Sequence, residues 1–260
     1  MSPMPPFVPY GSGHLITLAL LAALTVGIVR LLRAAAAWPE EARVRRAVCW
    51  GLAAVLVGCA VVEEITKAVC GEWSVRDSLP LHLCDIGLFL TVVALVDVGR
   101  TPAGGRIPRR AQRLYEFAYF WGLGGTIQAL FTPVVEHAFP HWQTVRFFVA
   151  HGGIVLAVLA LTFGLRLRPQ PGAVRRVWLA TLTLAAAVFV VNQLIGANYM
   201  YLAGPTPQPT VINLLGPWPW SLLPLAGLGT ALILACYAPW AVLDRRARRR
   251  APQTPVVAGR

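Results

Sequence analysis

Charged residues are scarce in this chain. Only 13% of its 260 residues are charged, 57% are hydrophobic, and 11 are acidic. This composition excludes an ordinary water-soluble globular protein, and the mean hydropathy of +0.61 is typical of a chain that crosses a membrane several times. The connections between the apolar segments are too short to hold a soluble domain. The sequence therefore predicts an all-α, polytopic membrane protein.

Three other absences narrow the function. None of the five cysteines forms a C-x-x-C pair, so a zinc or redox motif has no support. Glu136, His137 and His141 lie close in sequence, but Pro140 interrupts their spacing, and we expect no metal and no cofactor. No Lys or Arg precedes the first apolar segment, which indicates an uncleaved anchor rather than a secretory signal peptide. A disulfide between Cys70 and Cys84 stays open.

Seven apolar segments are long enough to cross about 30 Å of hydrocarbon as helices. They are predicted at 14–33, 47–70, 79–97, 115–135, 144–166, 175–201 and 219–243. The chain then divides into an external tail at 1–13, a seven-helix bundle at 14–243 and a basic cytoplasmic tail at 244–260.

The basic residues behind the net charge of +12 lie mainly in or beside the connections between the apolar segments, and they do not form a nucleic-acid-binding face. We therefore expect no nucleic-acid partner. Every second connection is basic, and only Lys67, Arg76 and Arg146 depart from this alternation among 23 Lys and Arg residues. By the positive-inside rule the amino terminus lies outside and the carboxyl tail lies in the cytoplasm. The sequence predicts a multi-pass protein of the cell membrane, in contact with membrane lipids and of unknown oligomeric state.

With this topology, polar side chains of several predicted helices fall in the outer half of the membrane. Polar groups in hydrocarbon are costly, which makes them candidates for a functional site in a cavity open to the outside. The candidates are Glu63, Glu64, Lys67, His82, Cys84, Asp85, Gln128, His151, Asn192, Asn198 and Tyr199.

Cys84 and His151 are predicted at similar depths on different helices. At about 1.5 Å per residue, Cys84 lies roughly 7–8 Å from the start of its segment and His151 roughly 10 Å. A thiol needs a base to become a nucleophilic thiolate. His82 is two residues from Cys84 and would point away from it on a regular helix, although Pro80 disturbs this first turn. His151 is therefore the better predicted base.

Other interpretations stay open. Cys84 is equally compatible with a small buried packing residue, and His151 with a hydrogen-bonded one. Glu63 or Glu64 and Lys67 have a spacing at which they neutralise each other on one helix face. The same outer cavity would also suit a transporter or receptor-like protein that binds a polar ligand or protons. A structural or assembly protein is the third alternative.

The order of several motifs resembles the transmembrane protein 164 family, and within it the bacterial YwaF-type integral membrane proteins. The motifs are the Leu-Pro-Leu-His-Leu-Cys-Asp run at 79–85, His151-Gly152, the Asn-Tyr-Met at 198–200 and the Leu-Gly-Pro-Trp-Pro-Trp at 215–220. The resemblance covers about residues 14–243.

The resemblance implies a chemistry for the site. The eukaryotic member is regarded as an acyltransferase that moves fatty acyl chains between phospholipids with a Cys and a His, which here correspond to Cys84 and His151. A related architecture of lipid hydrolases uses Thr and His instead. The expected function is therefore a lipid acyltransferase or hydrolase with a phospholipid substrate, and His82, Asp85 or Asn192 would orient the histidine or stabilise an oxyanion.

Overall fold

The structure, a computed structural model, describes residues 5–205 and 214–250, and helices joined by irregular connections make up this part of the chain. Within these residues no strand occurs, and one isolated bridge joins Pro6 to His137. The predicted all-α class is confirmed. Residues 1–4 of the predicted external tail, residues 206–213 of the last external connection and residues 251–260 of the basic tail, with Arg260, lie outside the described residues.

The described helices follow the predicted order. They are α1 (Ser12–Ala35), α2 (Glu41–Val69), α3 (Leu83–Gly99), α4 (Arg109–Trp121), α5 (Ile127–Phe131), α6 (Trp142–Leu159), α7 (Ala173–Ile195) and α8 (Leu222–Arg250). A π-helical turn, Gly122–Thr126, connects α4 to α5, and a second, Ala160–Gly164, continues α6.

Five of the helices are long and apolar enough to cross a membrane: Ser12–Ala35, Glu41–Val69, Trp142–Gly164, Ala173–Ile195 and Leu222–Ala247. In hydrocarbon, backbone N–H and C=O groups need internal partners, and a helix supplies them. The other two predicted spans correspond to α3, with 17 residues, and to the unbroken run from α4 to α5. The count of seven spans and the orientation of the termini stay predictions.

Several helix boundaries differ from the predicted ones, since α2 begins at Glu41 rather than at 47 and α4 begins at Arg109 rather than at 115. Helix α3 begins at Leu83 rather than near Leu79: Pro80 disfavours helical backbone at Leu79, and His82 is the N-cap with an extended ψ of 150°. Helix α7 ends at Ile195, where Gly196 adopts a left-handed φ of 66° and the Ala197 N–H donates to Asn192 O. Helix α8 runs on to Arg250, beyond the predicted start of the tail at 244.

Helix α6 is the central helix of the bundle. Of its spanning window 61% is buried, against 6% for α1 and for α8. The main core joins α2, α3, α4 and α6 through residues such as Leu56, Leu95, Phe120 and Val158. Large apolar side chains on α1, α2, α7 and α8 are exposed, as they must be where helices face lipid tails.

The basic connections meet at one end of the bundle, here called the basic end and comprising residues 36–40, 100–108 and 165–172. There Arg45 donates to Thr101 O, Arg33 Nε donates to Phe163 O at 2.8 Å, and Gln112 Nε2 donates to Arg168 O at 2.9 Å. At the opposite end the amino-terminal segment pairs with the 136–138 connection, through Phe7 N and Glu136 O at 3.0 Å. This grouping is the one that the charge alternation predicts.

Candidate functional site

The segment before α3 is held in place by the chain that follows α7. The Tyr199 hydroxyl accepts a hydrogen bond from Leu79 N at 2.8 Å and donates one to Val75 O at 2.9 Å. Asn192 Oδ1 and Nδ2 bond the backbone N–H and C=O of Tyr199, both at 2.9 Å. Both side chains are only 1% exposed, so this arrangement is a buried clamp. Asn192 and Tyr199 thereby position the start of α3, and the Asn192 amide is fully engaged.

His82 lies at the N-cap of α3, in extended backbone, and not inside the helix as predicted. The prediction that His82 and Cys84 point away from each other on one regular helix therefore does not apply. The His82 Nδ1 atom accepts a hydrogen bond from Met200 N at 3.3 Å, and the ring packs against Tyr199 at 5.4 Å and Tyr201 at 5.5 Å. Because Nδ1 is the acceptor, neutral His82 carries its proton on Nε2 and presents a donor there.

Cys84 and Asp85 form the first turn of α3. Both are half-buried, and Cys84 Sγ donates to Asp85 Oδ1 at 3.7 Å. Cys84 is a free thiol, as are Cys70 and the other three cysteines, so the open question of a Cys70–Cys84 disulfide is answered: the bond is not formed. Tyr201 lies close to this turn: burial raises the pKa of its hydroxyl, and the nearby negative charge of Asp85 raises it further.

Helices α2 and α6 share a charged cluster, here called the Glu63 cluster and comprising Glu63, Glu64, Lys67 and Arg146. Lys67 Nζ lies 3.0 Å from Glu63 Oε1 and 3.4 Å from Glu64 Oε1, so the predicted neutralisation on α2 is present. Arg146 Nη1 of α6 pairs with Glu63 Oε2. Trp73 Nε1 donates to Glu64 Oε2 at 3.0 Å. The cluster has no net formal charge and ties the two helices together.

His151 lies near the middle of α6 and is half-buried. Its Nδ1 is 2.9 Å from Phe147 O, and its ring stacks on that of Phe147 at 4.2 Å. A carbonyl oxygen only accepts, so neutral His151 carries its proton on Nδ1 and keeps the Nε2 lone pair. Within the described residues that Nε2 atom has no hydrogen-bond partner. In the neutral state His151 therefore presents an acceptor at Nε2, whereas His82 presents a donor at Nε2.

The Glu63 cluster connects the surroundings of Cys84 to those of His151. The cluster lies on α2 and α6, and α2 packs on α3, which carries Cys84 and Asp85, as well as on α6, which carries His151. Helix α3 also packs directly on α6. The structure thus gathers polar groups of α2, α3 and α6 around one region, while the direct pairing of Cys84 with His151 stays a prediction.

The glycines that follow His151 serve protein packing. A Cβ on Gly152 would lie 2.7 Å from Leu21 Cδ1, and one on Gly153 would lie 2.8 Å from Leu56 Cδ2. Side chains of α1 and α2 therefore occupy the space that these glycines leave. These two glycines therefore leave no open space for a ligand.

The remaining predicted residues lie at the margin of this region. Gln128 is exposed on α5, and Asn198 bonds Pro205 O at 3.0 Å and Ala203 N at 2.9 Å within its own turn. The His137 and His141 rings are 4.4 Å apart, yet no group of three potential metal ligands occurs in the described part of the chain.

Arg146 is the residue that sequence reasoning left out of the site. The sequence does contain an indication of its role, because Arg146 is one of the three basic residues that depart from the charge alternation. A cation at that depth needs an acidic partner, and Glu63 provides it.

Comparison with known proteins agrees with the architecture. The model of the TMEM164 family matches residues 9–237. No curated protein matches the chain, and no solved structure does. The family match covers most of the chain and includes every candidate residue of the site, and the chain therefore belongs to the TMEM164 family.

Proposed function

We propose that the protein is a membrane-embedded lipid acyltransferase or lipid hydrolase of the cell membrane, with Cys84 as nucleophile and His151 as general base. The observation that carries the proposal is the hydrogen bond of His151 Nδ1 to Phe147 O, because it leaves Nε2 as the proton acceptor that a thiol needs. His82 lacks this property, since its Nδ1 already accepts from Met200 N.

The chemistry has two halves. Cys84 Sγ attacks the ester carbonyl of a phospholipid while its proton passes to His151 Nε2. The carbon–oxygen bond of the ester then breaks, His151 returns the proton to the departing glycerol oxygen, and an acyl thioester remains on Cys84. A lysolipid hydroxyl or water attacks the thioester next and gives its proton to His151 Nε2. The carbon–sulfur bond breaks, and His151 returns the proton to the sulfur, which restores the Cys84 thiol.

Neighbouring groups have distinct parts in this proposal. His82 Nε2–H is a donor suited to a carbonyl or phosphate oxygen of the lipid. Asp85 accepts the hydrogen bond of the resting Cys84 thiol. Asn192 is a positioning residue, because its amide is committed to the backbone of Tyr199. The Glu63 cluster fixes α2 to α6 and thereby sets the position of His151.

Purified protein in phosphatidylcholine vesicles with an isotope-labelled acyl chain tests the proposal. We expect Cys84→Ala and His151→Gln to abolish transfer of the label to lysolipid or water. Only proteins that keep Cys84 should form a hydroxylamine-sensitive thioester. Cys236→Ala is the matched control, since Cys236 is a half-buried cysteine on α8. Full transfer by Cys84→Ala would refute the proposal, and vesicle flux that needs Glu63 but not Cys84 would favour a transporter.

A further inference from the structure

A groove runs between α2 and α6 on the outside of the bundle. Its volume is about 460 Å³, and its walls include Val55 and Val62 of α2 and Val145 and Val149 of α6. Gly58 widens the groove, because a Cβ at this position would meet no atom within 4 Å. The stretch from Val55 to Val62 spans two helical turns, or about 10 Å.

The open side of this groove faces the membrane. Val55 is 53% exposed and Val62 55% exposed, and both lie in a helix long and apolar enough to span the bilayer. Exposed apolar walls at this position contact hydrocarbon rather than water. The chemistry of the groove therefore suits a lipid acyl chain.

One end of the groove is polar. Arg146 lines it there together with Trp142, with the guanidinium 5.7 Å from the Trp142 ring centroid. Arg146 Nη1 is paired with Glu63, and Nε is buried without a hydrogen-bond partner among the described residues. The Arg146 side chain is still 25% exposed, and a guanidinium carries more donors than the pair with Glu63 uses, so its exposed part can donate to a phosphate oxygen of a phosphodiester.

We propose that the groove is a binding site for one membrane phospholipid, with an acyl chain between α2 and α6 and its phosphate on Arg146. Trp142, in the first turn of α6, suits the interface between headgroups and hydrocarbon. The site goes beyond the proposed acyl transfer, because it requires neither Cys84 nor His151. It places a lipid beside the Glu63 cluster, on the membrane side of α2 and α6.

Gly58→Leu tests the proposal by filling the groove. The matched control is Gly51→Leu, seven residues earlier on nearly the same face of α2 and equally free of neighbours within 4 Å. The first carbon of either leucine side chain has no protein atom within 4 Å, so neither substitution clashes at Cβ, and thermal unfolding of both variants in detergent checks that they fold. Full-length protein is loaded with phosphatidylglycerol that carries a photoreactive acyl chain, and crosslinks to peptides of α2 and α6 are mapped by mass spectrometry.

We expect Gly58→Leu to reduce crosslinking to the groove at least fivefold, while Gly51→Leu leaves it unchanged. Phosphatidylcholine should compete, whereas diacylglycerol with the same chains should compete about tenfold less well, because it lacks the phosphate. Arg146→Gln should remove this difference between the two competitors. Unchanged crosslinking in Gly58→Leu, or equal competition by diacylglycerol or a free fatty acid, would overturn the proposal. Cys84→Ala should crosslink normally, which separates this site from the acyl-transfer reaction.

Discussion

His82 and His151 differ in the atom that carries the proton. Met200 N donates to His82 Nδ1, whereas Phe147 O receives a hydrogen bond from His151 Nδ1. In the neutral state His82 is therefore a donor through Nε2, and His151 is an acceptor through Nε2. The position of the ring proton therefore supports His151 as the base more directly than the estimated depth of His151 in the membrane does.

Substitution of the two histidines tests this assignment. His151→Gln keeps an amide near the position of Nε2 but removes the base, and we expect at least a hundredfold loss of acyl transfer in vesicles. His82→Asn keeps an acceptor for Met200 N but removes the Nε2 donor, and we expect a smaller loss of acyl transfer than in His151→Gln. If the two losses were reversed, His82 would be the base.

Glu116 is a buried acid at the basic end, only 1% exposed. Its carboxylate accepts from Arg176 Nη2 at 2.7 Å and from Gln170 N at 3.1 Å, which ties α4 to α7. Glu116→Gln keeps the shape but removes the charge, and we expect a loss of about 2–3 kcal/mol in unfolding free energy. Thermal unfolding in detergent measures it. Glu136→Gln, at an exposed position, should leave the transition temperature unchanged.

At the scale of elements, the clamp of Tyr199 controls the entry to α3. Tyr199→Phe removes both hydrogen bonds to the 75–79 segment. Each buried backbone group that is left without a partner costs about 1–3 kcal/mol of stability. We expect faster hydrogen–deuterium exchange in residues 75–82, with the exchange of α6 unchanged. Tyr10→Phe, at an exposed tyrosine, is the control. Equal exchange in the 75–82 segment of both variants would exclude the clamp.

The helices were predictable from the sequence where composition and local stereochemistry decide them. Apolar length located the five helices that are long enough to span a membrane, and Gly196 is a local signal for the end of α7. The pairing of Glu63 with Arg146 was not predictable, since it depends on how α2 and α6 are rotated against each other. The two histidine tautomers depend on tertiary partners in the same way.

At the scale of the whole molecule, the orientation in the membrane decides which leaflet the candidate site faces. The basic connections meet at one end, and the amino-terminal segment contacts the 136–138 connection at the other. The positive-inside rule predicts that the basic end lies in the cytoplasm and that the region around His82 and Glu63 lies outside. A lipid reaction at that region would take place in the outer leaflet.

Cys70 provides a native probe of this orientation, because it is exposed just after α2 at the end opposite the basic connections. In intact cells we expect a membrane-impermeant maleimide to label Cys70. In a Cys70→Ala background, Ala103→Cys in the exposed 100–108 connection should be labelled only after permeabilisation. Cys70→Ala alone gives the background from the four cysteines that are buried or half-buried. Labelling of Ala103→Cys but not of Cys70 in intact cells would invert the topology and move the proposed reaction to the inner leaflet.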